Sequence, residues 1–102
     1  MNTEVRWTNQ AVADLQAIRE FITRDSPRYG RLVAERLFTA TERLETFPLS
    51  GRIVHELGRD DVRELIVGEY RLVYKVSAGA VIMLTIFRSS RLFPGGIEDL
   101  KP

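Results

Sequence analysis

Apolar and polar positions change period several times along the chain, and each change marks an element. Residues 3–7 alternate, with Val5 and Trp7 on one side and Glu4 and Arg6 on the other, which predicts a short strand. Thr8 or Asn9 can cap the helix that follows, since a short oxygen-bearing side chain accepts an N–H that the first turn leaves unpaired. Val12, Leu15, Ile18 and Ile22 then recur at spacings of three and four, the apolar stripe of an amphipathic helix. Its other side carries Asp14, Arg19, Glu20 and Arg24. Asp25-Ser26-Pro27 ends that helix, because the residue before proline resists helical geometry, and starts a second with Ser26 as cap and Pro27 in the first turn. Val33, Leu37, Ala40, Leu44 and Phe47 carry the second stripe to Phe47-Pro48. Gly30 costs its first turns ~1 kcal/mol relative to alanine, so a late or frayed start is expected.

The second half turns to strand-like runs, alternating in 70–76 and nearly all apolar in 80–87. Pro48-Leu49-Ser50-Gly51-Arg52 reads as a turn, residues 53–56 as a short edge strand, and 62–67, 70–76 and 80–87 as three strands. Gly68-Glu69 suits a type II′ hairpin turn, and Ser77-Ala78-Gly79 a three-residue loop with glycine at the late, positive-φ position. The order is β-α-α-β-β-β, an α+β domain in which an N-terminal helical hairpin packs on a mostly antiparallel sheet. With no internal repeat or linker, residues 1–102 form one domain, with 92–102 expected to be a loose tail around Phe93-Pro94-Gly95-Gly96.

Composition narrows the function. The chain has 102 residues, no cysteine and one histidine, which excludes a disulfide scaffold and thiolate-bound zinc. No apolar leader or membrane-length run is present, a span needing roughly 20 residues. A soluble, cytoplasmic protein is expected. The net charge of +1 excludes a generally basic nucleic-acid coat, yet it hides an asymmetry. Residues 1–69 hold ten cations and twelve anions, whereas 70–97 hold Arg71, Lys75, Arg88 and Arg91 with no acid. That stretch is a candidate surface for an anionic partner.

Strand alternation puts Tyr70, Leu72, Tyr74 and Val76 on one face and Arg71, Val73 and Lys75 on the other. The second face is either solvated or a cationic site to which Arg63, Arg88 and Arg91 add, since an arginine offers a bidentate fork to phosphate or carboxylate. Acid–base equipment is sparse. His55, with Glu56 beside it, reads as a surface residue, and one imidazole without cysteines does not make a metal site. Asp60-Asp61 reads as a solvated loop, and Gly95-Gly96 precedes no helix, so it is not a phosphate loop. No metal and no cofactor are expected. Most aromatics fall at core positions, with Tyr29 the exception. Phe21, Leu32 and Phe38 lie off the helical stripes, giving either a wider core or a groove for a partner.

Taken in order, these features resemble the ParE/RelE family of bacterial type II toxins over residues 4–93. The matching residues are Trp7, Ala11, Asp14-Leu15 and Ile18, then Ser26-Pro27, Phe47-Pro48 and Gly51-Arg52. Val62-Arg63-Glu64-Leu65 and Tyr70-Arg71-Leu72-Val73-Tyr74 follow, ahead of a hydrophobic strand ending in Arg88 and Arg91. The resemblance implies a cognate antitoxin, ParD-like or related, that docks along the hairpin through Leu15, Ile18, Phe21, Ile22, Leu32, Leu37 and Phe38. Operator DNA would be reached only through that antitoxin, and no membrane is involved.

The family divides between ribosome-dependent mRNA nucleases and inhibitors of DNA gyrase. Arg71 matches the position that stabilises the scissile phosphate in the nucleases, with Arg88 or Arg91 as a second cation and His55 or Glu56 as a substitute base. The usual Tyr or His after the last strand is replaced by Phe87 and Phe93, whose rings carry no proton. The near-neutral charge also disfavours docking on ribosomal RNA. Gyrase inhibition is therefore the favoured expectation, a binding activity through Arg63, Arg71, Lys75, Arg88, Arg91 and Phe93. A metal-independent endoribonuclease is the alternative, and an inactive toxin kept as an antitoxin-bound repressor module is a third.

Overall fold

Alternation at the N-terminus does make a strand, β1 (Glu4–Trp7), and Thr8 caps α1 (Asn9–Thr23) by accepting the Ala11 N–H at 3.0 Å. The structure, a computed structural model, describes residues 2–101. Ser26 caps α2 (Pro27–Glu42) with Pro27 in the first turn. A 3₁₀ turn, Arg43–Glu45, follows, and then β2 (Arg52–Ile53), β3 (Val62–Val67), β4 (Tyr70–Ser77) and β5 (Ala80–Arg88). The sheet order is β1-β5-β4-β3-β2, antiparallel except for β1 against β5. The expected element order and α+β class are those of the molecule.

The local differences have physical causes. Helix α2 starts at Pro27 despite Gly30, because that glycine is the contact point of the hairpin. A Cβ there would collide with Thr23 Oγ1 and come within 2.9 Å of the Arg19 carbonyl. The first helix buries Ala11 rather than Val12, which faces outward, and Leu15, Ile18 and Ile22 pack beside it. The second stripe stops short: Leu44 is buried in the 3₁₀ turn and Phe47 is exposed. The edge strand has only two residues, so Val54 enters the core from a loop. The last hairpin closes on two residues, Ala78 and Gly79, both with positive φ (44° and 81°), the pattern of a type I′ turn, rather than on three.

Both faces of the sheet are covered. The helices lie over Leu65, Leu72, Tyr74, Val81, Met83 and Ile86. On the opposite face Val54, Val62, Val73, Leu84 and Phe87 form a second core, closed by Leu57, Phe93, Ile97 and Leu100. The face expected to be solvated or cationic is thus a small hydrophobic layer. The tail is correspondingly not loose. Residues 97–99 form a 3₁₀ turn whose Ile97 is buried, because that layer needs a lid and the chain beyond Arg91 carries the apolar residues to make one. Leu84 is an extra residue opposite Val73 and Tyr74, a bulge that lets β5 serve both cores.

Candidate functional site

Arg71 sits at the centre of this second layer, flanked across the strands by Ile66 on β3 and Phe87 on β5. It is only 8% exposed. A guanidinium at that depth is expensive unless fully paired, and here it is. Its Nε donates to Glu64 Oε1 at 2.6 Å, while its two terminal nitrogens donate to the two Glu56 oxygens at 2.8 Å each. Glu64, 1% exposed, also accepts from Arg52 Nε at 2.8 Å. Phe87 and Phe93 cover the guanidinium, with ring centroids 5.2 and 5.3 Å from its central carbon. The two rings meet edge to face, and a weakly hydrated guanidinium is favoured beside such π systems. The hydrogen bonds from Arg71 pull the Glu56 carboxyl down to about 2. The same pairing, Glu56 first, pushes Arg71 further up.

The other expected cations do not converge on Arg71. Arg63 braces the preceding turn, donating to the Gly51, Asp60 and Leu49 carbonyls. Lys75 reaches the Glu98 carbonyl of the tail at 3.3 Å. Arg88 pairs with exposed Glu69 at 3.0 Å. Arg91 lines two adjoining clefts, and His55 is exposed in the loop after β2. The basic stretch of the sequence is therefore dispersed by the fold. The fold brings carboxylates from residues 56–69 to two of its four cations, Arg71 and Arg88, which sequence charge counting cannot register.

The clefts lie between α1 and the end of β5. One, about 340 Å³, is walled by Ala17, Ile18, Phe21, Tyr70, Ile86 and Arg88, and the other, about 260 Å³, by Gln10, Thr85 and the tail loop 94–97; Asp14 and Arg91 border both. Asp14 joins the helix to the sheet, accepting from Thr85 Oγ1 and from the Ile86 N–H at 3.0 Å. Burial raises the Tyr70 hydroxyl pKa. Among the hairpin residues expected to meet a partner, Phe21 is exposed in this cleft and Ile18 lies partly buried at its floor. Leu15 and Ile22 are mostly occupied by the core, and Leu37 is wholly buried in it. Phe38 stacks on Trp7 with centroids 5.8 Å apart, and Leu32 is exposed. The extra apolar residues thus do not form one groove.

Sequence reasoning placed Glu64 only within the family motif and offered Glu56 only as a substitute base, and it paired neither with Arg71. A signal existed for one: Glu64 stands between Val62 and Ile66 on the same strand face, and a charge at an apolar position usually has a buried partner. Glu56 carried no comparable signal, since its partner lies fifteen residues away.

Comparison with known proteins agrees with this architecture. Residues 5–93 match the family model described as the ParE toxin of the type II toxin-antitoxin system parDE. The chain is 39% identical to Toxin RelE2 of Caulobacter vibrioides over 87% of this chain and 98% of that protein. It is 32% identical to Putative toxin Y4kP of Sinorhizobium fredii over 88% and 92% respectively. Its fold is similar to a chain of the chromosomal ParDE system from P. aeruginosa, with a TM-score of 0.72 and 21% identity over 84% of this chain and 95% of that one. It is also similar to a chain of the RelBE2 complex from Mycobacterium tuberculosis, with a TM-score of 0.56 and 24% identity over 89% and 95%. On the family match and the identity to curated toxins, the chain belongs to the ParE/RelE family of toxins from type II toxin-antitoxin systems.

Proposed function

We propose that this toxin acts by binding, with DNA gyrase as its target, and that a cognate antitoxin neutralises it. The observation that carries this reading is the state of Arg71. The position that would steady a phosphate in the nuclease branch has its fork filled by Glu56 and the edge-to-face pair Phe87 and Phe93 packed beside it. A strand-cleaving site needs a proton acceptor, a proton donor and a cation free for the developing charge. Phenyl rings supply neither proton role. The exposed cations Arg88 and Arg91 and the tail around Phe93 then serve target contact. Purified protein added to gyrase, ATP and relaxed plasmid should block supercoiling or trap cleaved DNA; no effect at micromolar excess rejects the reading.

The relative named Toxin RelE2 favours a second reading, mRNA cleavage on the ribosome. Mapping mRNA 5′ ends after brief induction separates the two, since only the nuclease creates new ends.

For the antitoxin, the α1–β5 cleft is the proposed seat. Its apolar wall and the cations Arg88 and Arg91 fit a segment that mixes apolar and acidic residues. Phe21→Ala and Arg91→Glu should each weaken capture of the co-expressed antitoxin by at least ~1.4 kcal/mol, a tenfold loss, with the melting temperature little changed.

A further inference from the structure

We propose that a second copy of this chain docks its turn 46–50 into the α1–β5 cleft, so that toxin molecules join head to tail. The turn is an apolar knob: Phe47 and Leu49, on either side of Pro48, are 64% and 59% exposed. Contiguous apolar side chains in water mark a surface that receives a partner. These two are not held loosely. The Phe47 N–H donates to the Arg43 carbonyl at 2.8 Å, and the Ser50 N–H to the Phe47 carbonyl at 3.1 Å. Beneath them the buried Tyr74 donates its hydroxyl to the Pro48 carbonyl at 2.8 Å, and Arg63 reaches the Leu49 carbonyl. A knob fixed in this way loses little conformational freedom on docking.

The cleft complements it. Its volume is about 340 Å³, and Ala17, Ile18, Phe21 and Ile86 give it apolar walls. The rims match in charge. Glu42, Arg43 and Glu45 adjoin the knob, all exposed and none in an ion pair among the described residues. Arg88 and Arg91 border the cleft, with Glu69 bound to Arg88. Two acids and one cation thus meet two cations and one acid. Knob on knob, or cleft on cleft, would oppose like charges instead. The two surfaces also lie at opposite ends of the molecule. Helix α2 begins beside Tyr70, which lines the cleft, and ends at the turn, so its sixteen residues set them about 24 Å apart. A chain therefore cannot fill its own cleft, and a contact between unlike surfaces repeats from copy to copy rather than closing on a two-fold axis. This contact rests on neither the target nor the antitoxin proposed above. One cleft cannot hold a second copy and an antitoxin segment together, so neutralisation on that reading would also part the copies.

The test is sedimentation velocity of the isolated toxin at concentrations up to ~1 mM, a range suited to a contact of small area. The average mass should rise with concentration and pass beyond that of a dimer. Two variants at exposed positions divide the contact. Phe47→Ser with Leu49→Ser removes the knob, and Ala17→Arg fills the cleft. Each alone should associate at least about tenfold more weakly than the unaltered protein. Mixed in equal amounts they should form a dimer and nothing larger, because one retains the cleft and the other the knob. If either variant fails to fold, a nitroxide on Ser50→Cys, in a chain with no other cysteine, gives an independent reading. Added to isotope-labelled unaltered protein, it should broaden the Ala17, Phe21 and Ile86 amide resonances. A toxin that stays monomeric or stops at a dimer overturns the proposal. So does a variant that associates as well as its parent, a mixture that stays monomeric, or broadening confined to residues around the knob.

Discussion

Arg71→Gln is the substitution whose cost the structure specifies most closely. It keeps much of the side-chain length and removes the charge, together with three charge-assisted bonds, one to Glu64 and two to Glu56. Glu64, 1% exposed, is left with Arg52 alone, and Arg52 is largely in solvent. Breaking a buried ion pair from one side costs about 3–5 kcal/mol. A domain of this size has about 5–15 kcal/mol in total, so the loss should appear as a fall in melting temperature of roughly 10–25 °C at pH 7. The pH dependence isolates the cause. The Glu56 carboxyl lies at about 2 in the folded protein against 4.5 unpaired. A depressed carboxylate stabilises above its unfolded value, and that contribution is lost as pH falls from 4.5 towards 2. Because Glu56 is a third exposed, screening holds its share to about 1 kcal/mol. The parent protein should therefore lose about 1 kcal/mol more than Arg71→Gln between pH 5 and pH 2. Arg71→Met with Glu64→Leu, which removes the buried charges together, should recover most of the stability. Urea denaturation at both pH values measures all three proteins. A cost below ~1 kcal/mol for Arg71→Gln at pH 7 would refute the assignment of this cluster as the support of the second core.

Three further substitutions test the scaffold, each by thermal or chemical denaturation. Gly30→Ala gains ~1 kcal/mol of helix propensity but places a methyl against Thr23 and the Arg19 carbonyl, so a net loss of about 1–2 kcal/mol is expected; a stabilised variant would show that the hairpin can part. Tyr74→Phe removes the hydroxyl that accepts the Gly51 N–H at 2.9 Å and donates to the Pro48 carbonyl at 2.8 Å, costing about 1–3 kcal/mol because a buried N–H loses its partner. Ala78→Asn puts a residue tolerant of left-handed geometry where φ is 44°, next to Gly79, and should gain about 0.5–1 kcal/mol; no gain would mean that the turn is not of type I′.

Element order was legible because it rests on local periodicity. Ser26-Pro27, the strand-like run 62–67 and the glycine-first hairpin at Gly68 each act over a few residues, and each appears where the pattern places it. What sequence could not show depends on residues distant in the chain. Whether Arg71 faces water is decided by Val54, Phe93 and Ile97, which arrive from opposite sides of β4. Gly30 reads as a weak point in a single helix and becomes the contact point only when α1 lies beside it. Net charge by segment pointed to a basic surface, whereas Glu56, Glu64 and Glu69, all from the acidic segment, neutralise Arg71 and Arg88. For the hairpin, spacing identified Phe21, Leu32 and Phe38 as surplus to the core but not that Phe21 lines the α1–β5 cleft while Phe38 stacks on Trp7.

The two edges of the sheet account for where a partner can be received. An open strand edge offers a backbone ladder to any chain, and proteins suppress this by shortening or capping it. Here β2 leaves only two residues at one edge. At the other, β1 pairs with β5 as far as Met83, and polar groups of the α1 cap and first turns take over beyond it. The Thr8 hydroxyl donates to the Leu84 carbonyl and Asp14 accepts the Ile86 N–H, so these β5 groups are satisfied without a strand. Bringing α1 this close to β5 also creates the cleft, because the next turns of the helix present Ala17, Ile18 and Phe21 towards Ile86 and Phe87. A segment entering there meets side chains more than backbone. On the docking proposed above, its recognition would depend on apolar anchors and on carboxylates placed for Arg88 and Arg91, features that can differ between related toxin–antitoxin pairs while the sheet beneath stays the same.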